Sequence, residues 1–318
     1  MVARPCQPAR ALVVRSLDDV AATLLASGHG WQVHSVFQRA LNLVASDGAL
    51  LGVVRAPACN APATLVVSLA GSAEHTAPFT AYVAAGMPAR LAGKVLDIAG
   101  LLTLDVTTAR RWTPAAIRPT CPLADIRARL RRAVQIAQAV APVSGFAPLL
   151  DAADGKPTPD AGVTAARAVS ATADSLCIAQ ARRLLPRLAT AITAGDWTAV
   201  HDAARAFSGL GPGLTPAGDD LLAGLALGFR ASRGHLSALL ADALTRAVSE
   251  RTTDLAVARV RHAVAGHPDE STHAVLAALL TGDGGPPDEA VRNLMDYGHS
   301  SGVDTLVGLV LGVRLGLD

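Results

Sequence analysis

The spacing of apolar residues changes once along this chain, and the change divides it in two. From about 12 to 110 the apolar runs are short: ALVVRS, WQVHSVF, ALNLVAS, ALLGVVRA and TLVVSLA hold four to eight residues each and are rich in Val and Leu. Runs of that length and composition predict strands. Ser46-Asp47-Gly48 separates two of them as a turn would. One helix is expected near 17–27, where Ser16, Asp18 and Asp19 can cap and Leu24 and Leu25 face inward. Between 86 and 108 Gly punctuates apolar pairs, as in the strands of a small barrel or curved sheet, although a sandwich would look the same.

Three prolines between Trp112 and Pro122 stop both helix and central strand. Beyond them the apolar period becomes helical, first over 123–140 and, after a Pro, Gly and Asp loop at 144–162, over 163–194, 197–208, 217–231, 235–249, 252–265, 268–280, 286–297 and 303–316. Asp196, Pro268 and Pro287 stand near predicted starts, and Gly195, Gly234, Gly266 and Gly282 near predicted stops. The expected fold is therefore α+β: a β-rich N-terminal domain over 1–116, as small barrel or sandwich, and an all-helical domain over 117–318.

The helical region contains an internal repeat. GDDLLAGLALGFR at 218–230 aligns with GVDTLVGLVLGVR at 302–314, pairing Gly218 with Gly302, Asp220 with Asp304, Gly224 with Gly308, Gly228 with Gly312 and Arg230 with Arg314. Each copy follows a polar loop, GLGPGLTPA at 209–217 and YGHSSG at 297–302. Glycine inside a helix costs roughly 1 kcal/mol relative to Ala, so two such pairs call for an explanation. Four-residue spacing puts each pair on one face, where another backbone can come close. The two helices are expected to pack on these faces, which would gather Thr215, Asp219, Asp220, His299, Ser300, Ser301 and Asp304 in one pocket; the alternative places each face against a different helix.

The loop before the first copy reads equally as a ligand cradle or a tight connection. Gly209, Gly211 and Gly213 can turn several N–H groups toward one point, and Thr215-Pro216 can open a helix with the Thr oxygen as cap. It is no Walker loop, since no Lys follows the last Gly, and no dinucleotide fingerprint, since no clear strand precedes it. One aspartate near a helix start is explained by the helix dipole, worth about 0.3–1 kcal/mol. Two adjacent aspartates plus a third at the repeat-equivalent place suit a ligand with an anionic end for the N–H groups and an amide end for the carboxylates, or a Mg²⁺ ion between them. His299 can donate to developing charge or move a proton near neutral pH, and reads equally as a helix-capping residue. Arg39, in HSVFQRALNL at 34–43, can reach a ligand carboxylate across a cleft or pair with a local Asp.

Composition narrows the classes. Hydrophobic residues make up 51% and aromatics only 3%, so the interior must be Ala, Leu and Val, which favours closely packed helices. A net charge of +2 with dispersed basic residues gives no nucleic-acid surface, and Arg127, Arg129, Arg131 and Arg132 on one helix read as a solvated or subunit-facing side. Cys6, Cys59, Cys121 and Cys177 form no CxxC pair, which argues against structural zinc and a disulfide framework. His262, His267 and His273 lack metal-binding helical spacing. With no signal-peptide core and no uncharged run of membrane-spanning length, a cytoplasmic chain without membrane contact is expected.

GLGPGLTPAGDD at 209–220, Arg251-Thr252-Thr253 and GHSSGVDTLVG at 298–308, with HSVFQRALNL upstream, resemble the AllH-type subunit of oxamate carbamoyltransferase. Asp254 departs from that pattern, which has a small hydroxyl residue after the Thr pair. The resemblance covers both domains and implies a subunit of a hetero-oligomeric transferase of allantoin (purine) nitrogen breakdown, interconverting oxalurate plus phosphate with oxamate plus carbamoyl phosphate. It places the family signature on Gly211, Gly213, Thr215, Gly218, Asp219, Asp220, His299, Ser300, Ser301, Gly302 and Asp304. His299, Asp220 and Asp304 are then the expected catalytic residues; the others, with Arg39, would bind a small anionic amide. Two further readings stand beside it: a non-catalytic scaffold or ligand-binding subunit, and a Mg²⁺-dependent hydrolase or ligase subunit. No cofactor other than Mg²⁺ is suggested.

Overall fold

The computed structural model describes residues 10–69, 77–142, 144–156, 173–249, 251–282 and 285–318, and divides into two compact units, 1–114 and 115–318. Cys6 and the predicted helical residues 163–172 fall outside the described residues.

In the N-terminal unit nine strands form one sheet: β1 (Arg10–Asp18), β2 (Trp31–Val36), β3 (Ala40–Ala45), β4 (Leu50–Arg55), β5 (Thr64–Leu69), β6 (Pro88–Ala92), β7 (Val95–Ile98), β8 (Leu102–Asp105) and β9 (Arg110–Trp112). Their order is β5-β4-β3-β2-β6-β7-β8-β1-β9, and β5 also pairs with β1. That pairing closes eight strands into a barrel with β9 attached to β1, so the sequence-level choice between barrel and sandwich resolves to barrel. A register shift between Val14 and Ser16 lets β1 serve three neighbours: its first half lies parallel to β8, its last residues parallel to β9, and it runs antiparallel to β5. Alternation fills the inside. Leu12, Val14, Leu41, Leu43, Leu51, Val53, Leu65, Val67, Leu96, Ile98, Leu102 and Leu104 are all buried, and less buried residues alternate with most of them. Helix α1 (Asp19–Ala26) is capped by Asp18, whose carboxylate accepts from Val20 and Ala21 N–H, and it buries Ala21 and Leu25.

The C-terminal unit is helical: α2 (Leu123–Val140), α3 (Leu150–Ala153), α4 (Ala173–Ala194), α5 (Trp197–Phe207), α6 (Ala217–Arg233), α7 (Ala238–Val248), α8 (Asp254–Ala265), α9 (Glu270–Leu280), α10 (Asp288–Met295) and α11 (Ser301–Leu317). Several ends differ from expectation for local reasons. The predicted loop at 144–162 contains a 3₁₀ turn at Ala147–Leu149 and α3, because Phe146, Leu149, Leu150 and Ala153 are buried together. Helix α9 is capped by Asp269, which accepts from Thr272 N–H, rather than starting at Pro268, and its C-cap is Thr281, one residue before Gly282. The four arginines of α2 do not form a uniform free face: Arg127 pairs with Asp318, Arg132 with Asp288, and Arg129 Nη1 donates to the carbonyls of Ala278, Thr281 and Gly285.

The repeated helices are the centre of this unit. Nearly every residue of α6 and α11 is buried, and each is the other's most extensive neighbour. Their glycines meet backbone. A Cβ added at Gly224 would fall on the Thr305 carbonyl oxygen, and one at Gly308 on that of Leu221. At Gly228 it would lie 2.5 Å from the Leu309 carbonyl oxygen, and at Gly312 it would strike that of Leu225. Because equivalent positions exchange equivalent contacts, the two halves pack about a local twofold relation, with glycine as the shared requirement.

A Cβ at this seam displaces main chain, which outweighs the about 1 kcal/mol that Ala gains over Gly in a helix. Gly224→Ala and Gly308→Ala are each expected to destabilise the chain by about 2–3 kcal/mol, within the range of core overpacking, in urea or thermal unfolding. Unchanged or raised stability would show that the seam can open at little cost.

Candidate functional site

The local twofold brings the starts of α6 and α11 to one end of the pair. Both helices place an aspartate at the fourth residue, Asp220 and Asp304, and α6 has Asp219 beside the first. All three are 0% exposed. The loops before them meet as well: Thr215 Oγ1 lies 3.4 Å from Ser301 Oγ. Two details of the loop differ from expectation. Pro216, not Thr215, is the N-cap of α6, and no side chain caps that helix. Thr215 faces Ser301 instead.

Some donors of the expected N–H nest are already occupied. Gly209 N–H donates to Asp219 Oδ2 at 3.0 Å, and Gly218 N–H to the Leu210 carbonyl at 2.9 Å. Gly302 N–H likewise donates to the Tyr297 carbonyl, the matching bond in the second copy. Among the described residues no backbone carbonyl accepts from the N–H of Gly211, Gly213, Leu214 or Thr215. These four keep their donors. Gly211 needs its left-handed φ of +117°, and a Cβ there would crowd Ala217 N at 2.9 Å.

Each aspartate has its own set of partners. Asp219 Oδ2 also accepts from Thr252 Oγ1 at 2.7 Å, while Thr253 caps α8 and gives its hydroxyl to the Leu214 carbonyl. The Arg251-Thr252-Thr253 motif thus ties the Gly-rich loop to the start of α8. Asp304 Oδ1 accepts from Phe146 N–H at 2.6 Å. A Cβ at Gly145 would lie 2.6 Å from the same oxygen, so the Gly145-Phe146 corner presses directly on the acid. Asp220 Oδ1 lies 2.5 Å from Arg259 Nε, an ion pair without hydrogen-bond alignment. Arg259 Nη2 donates to Thr305 Oγ1 at 2.9 Å, Nη1 lies 3.4 Å from Tyr297 Oη, and the guanidinium sits 5.3 Å over the Tyr297 ring.

Charge in this dry setting is costly. Burial pushes Asp304 up to about 7; the Phe146 N–H, the Ser300 hydroxyl and Arg259 hold it down, and the Asp220 charge raises it. Asp220 is pushed up to about 6 by burial, with Arg259 and the Ser301 hydroxyl opposing and Asp219 adding to it. Asp219 is raised by burial, against its bonds from the Thr252 hydroxyl and Gly209 N–H and the nearby Ser208 hydroxyl. Arg259 is held firmly protonated: burial works against its charge, but Asp220, Tyr297 and Asp269 outweigh it. Four side-chain oxygens keep no hydrogen-bond partner: Asp219 Oδ1, both oxygens of Asp220, and Asp304 Oδ2.

The donor set does not fit Mg²⁺. Among the described residues no three His, Cys, Asp or Glu side chains are arranged to hold an ion. Asp220 already faces a guanidinium, and Asp219 is committed to the loop.

The remaining sequence candidates fall in different places. His299 is exposed on the turn before α11, and Ser300 and Ser301 are half-buried. Ser300 is the N-cap of α11 but makes no side-chain capping bond. Arg39 belongs to the barrel unit, where its Nη2 lies 3.5 Å from the carbonyls of Ala56 and Pro57 rather than beside an aspartate. Arg259, Thr252, Thr305 and the Gly145-Phe146 corner were not among the sequence candidates. Arg259 shares α8 with Arg261 and His262, and nothing local distinguishes it; only the repeated acids, which require a counter-charge once buried, could have prompted a search for it. The repeat's own Arg230 and Arg314 serve helix ends instead. Arg230 crosses Gly266, the C-cap of α8, and Arg314 Nε donates to the Ala153 carbonyl at the end of α3.

Two family models match the chain. One, described as the AllH family N-terminal domain, covers residues 11–111, the barrel strands; the other, described as oxamate carbamoyltransferase subunit AllH, covers residues 207–313 and both loop-and-helix copies. No curated protein and no solved structure matches it.

The raised pKa values fix a pH dependence. Asp304 titrates near 7 in the folded chain against an ordinary value of 3.8, so the native state binds the extra proton between those limits. Its contribution to stability is complete below about pH 4 and is lost as pH rises toward 7. Asp304→Asn keeps an acceptor for Phe146 N–H and has no charge to bury. The variant is expected to gain on the parent by up to about 1.4 kcal/mol per pH unit through that window, measured by unfolding at pH values from about 5 to 8. Parallel curves would mean that Asp304 is not held protonated.

Proposed function

The chain belongs to the AllH family, and from that premise we propose that it acts as a subunit of an oxamate carbamoyltransferase complex with its ligand site at the paired starts of α6 and α11. One observation carries the reading: carboxylate oxygens of Asp220 and Asp304, buried in the first turns of α6 and α11, lack hydrogen-bond partners, and the loop entering α6 leaves the N–H groups of Gly211, Gly213, Leu214 and Thr215 without backbone acceptors among the described residues. Acceptors lacking donors and donors lacking acceptors, at the end where the two loops meet, suit a ligand that joins an amide NH₂ to an anion. Oxamate, oxalurate and carbamoyl phosphate all have that form.

In the transfer, a phosphate oxygen bonds to the carbamoyl carbon of oxalurate. The carbonyl becomes a tetrahedral oxyanion, the bond from that carbon to the oxamate nitrogen breaks, and this nitrogen takes a proton. Such a reaction needs the two partners held in line and donors at the oxyanion. The loop N–H groups, with Gly218 and Gly302 allowing the close helix starts, would hold the anionic end. Asp220 would accept from the carbamoyl NH₂, and His299, Ser300 and Ser301 would line the entrance. An Asp304 carboxyl that keeps its proton near neutral pH is a donor for the oxyanion or for the departing nitrogen.

A second reading has its own support. Asp219 and Asp304 are bonded to the chain's own loops, as in a subunit that shapes a partner's site without touching ligand. Calorimetry of the full chain, alone and with the subunits that copurify with it, separates the two using carbamoyl phosphate and oxamate as titrants. Saturable binding that Asp220→Asn or His299→Ala weakens at least about tenfold is expected, the scale of one charged hydrogen bond. Absence of binding in both preparations, with complex stability still dependent on this chain, would leave the scaffold reading.

A further inference from the structure

A second group of charged residues lies outside the helix pair, at one end of the barrel. Arg10 begins β1, Arg39 immediately precedes β3 and Arg55 ends β4. The ladders place them at the same end: Leu41 pairs with Val53, Arg55 N–H donates to the Arg39 carbonyl, Arg55 lies beside Val67 of β5, and Val67 lies opposite Val14 of β1. Side chains alternate along a strand, and Leu12, Leu41 and Val53 are buried in the interior. Arg10, Arg39 and Arg55 each stand two residues outward from one of these, on the inward-facing register. Three guanidinium groups therefore crown the barrel's apolar filling.

Their environment is not that of arginines spent on structure alone. Arg55 is anchored: its Nη2 donates to the Ala77 carbonyl at 2.7 Å, and its guanidinium stacks 4.5 Å over buried Phe79. Arg10 and Arg39 form no ion pair among the described residues. Arg10 Nε is buried without an acceptor, a state that ordinarily costs about 1–3 kcal/mol. The Arg39 contacts to Ala56 and Pro57, at 3.5 Å, are at the limit of a hydrogen bond and leave most of its donors open. The three charges also feel one another: burial lowers the Arg55 pKa, the Tyr82 phenol opposes this, and the positive charges of Arg10 and Arg39 lower it further.

We propose that the Arg10, Arg39 and Arg55 mouth of the barrel is an oxyanion site, binding a phosphoryl or carboxylate group of a small ligand in the guanidinium forks. Arginine suits both groups because its planar donors match two oxygens at once. Bound there, the anion supplies the acceptor that Arg10 Nε lacks and relieves the repulsion among three like charges. The site is made of barrel residues alone and does not depend on the α6 and α11 reading.

The test uses the full chain, with inorganic phosphate in one arm and oxalate in the other, against sodium chloride at matched ionic strength. Calorimetry and thermal unfolding should show saturable binding and a raised Tm with at least one probe. Arg10→Gln and Arg39→Gln should each weaken that binding about 10- to 100-fold, while Asp220→Asn leaves it in place. Arg39 is exposed, so its variant should keep the parent's melting behaviour when no anion is present. The stronger probe identifies the ligand group. No saturable binding of either probe beyond chloride, equal binding by both arginine variants and the parent, or binding abolished only by Asp220→Asn would each overturn the proposal.

Discussion

The helical unit depends on two backbones touching. Helices α6 and α11 approach until glycine on each lies against a carbonyl oxygen of the other, with Gly224 on Thr305 and Gly308 on Leu221. No larger residue fits, and the same requirement recurs one turn on at Gly228 and Gly312. Four helix-interior glycines are unfavourable locally, and close packing of two fully buried helices offsets that. The same spacing rule holds at the helix starts: a Cβ at Gly218 would strike the Phe207 carbonyl at the end of α5, and one at Gly302 the Leu294 carbonyl in α10. Each copy is thus a helix end, a short loop and a helix start locked together by a glycine.

The chemistry at the end of the pair follows from that closeness. Helix starts that approach this tightly exclude water from the fourth residue of each, where Asp220 and Asp304 stand. The helix dipoles favour charge there, but burial opposes it more strongly, so both acids are pushed toward neutral pH. Arg259 answers only some of the negative charge. Its guanidinium spans Asp220 on α6, Thr305 on α11 and Tyr297 before α11, and lies 3.9 Å from Asp269 at the cap of α9. A single cation therefore joins these separate segments, while acids and loop N–H groups keep unused hydrogen-bonding capacity. Such capacity is stored where folding does not need it, which is the physical ground of the proposed ligand site at this end.

Much of this was legible in the primary structure because the signals were periodic. Short Val and Leu runs separated by turns gave the strands, and the helical period after the Pro-rich stretch gave α2 from Leu123 to Val140. The internal repeat gave the helix pair and, through its equivalent aspartates, the candidate site. Less regular features were hidden. The short helix α3 and the Gly145-Phe146 corner lie in a stretch that reads as loop, since their order comes from burying Phe146, Leu149 and Leu150 against other helices. Arg259 carries no local signal, as its role is set by charges from α6 and from the cap of α9.

The chain's own order of residues determined what must be buried and where the backbone could bend or approach: strand alternation, helix length and four paired glycines are local properties. Only tertiary structure decided closure and partnership. The register shift in β1 turned a sheet into a barrel by letting one strand pair with β5, β8 and β9, a choice between edges that alternation cannot express. The family matches agree with a resemblance that the repeat had already carried, and the fold supplied the physical reason for the repeat. The counter-ion for Asp220 and the donor for Asp304 came from residues distant in sequence, because electrostatic pairing in a dry interior depends on distance in space.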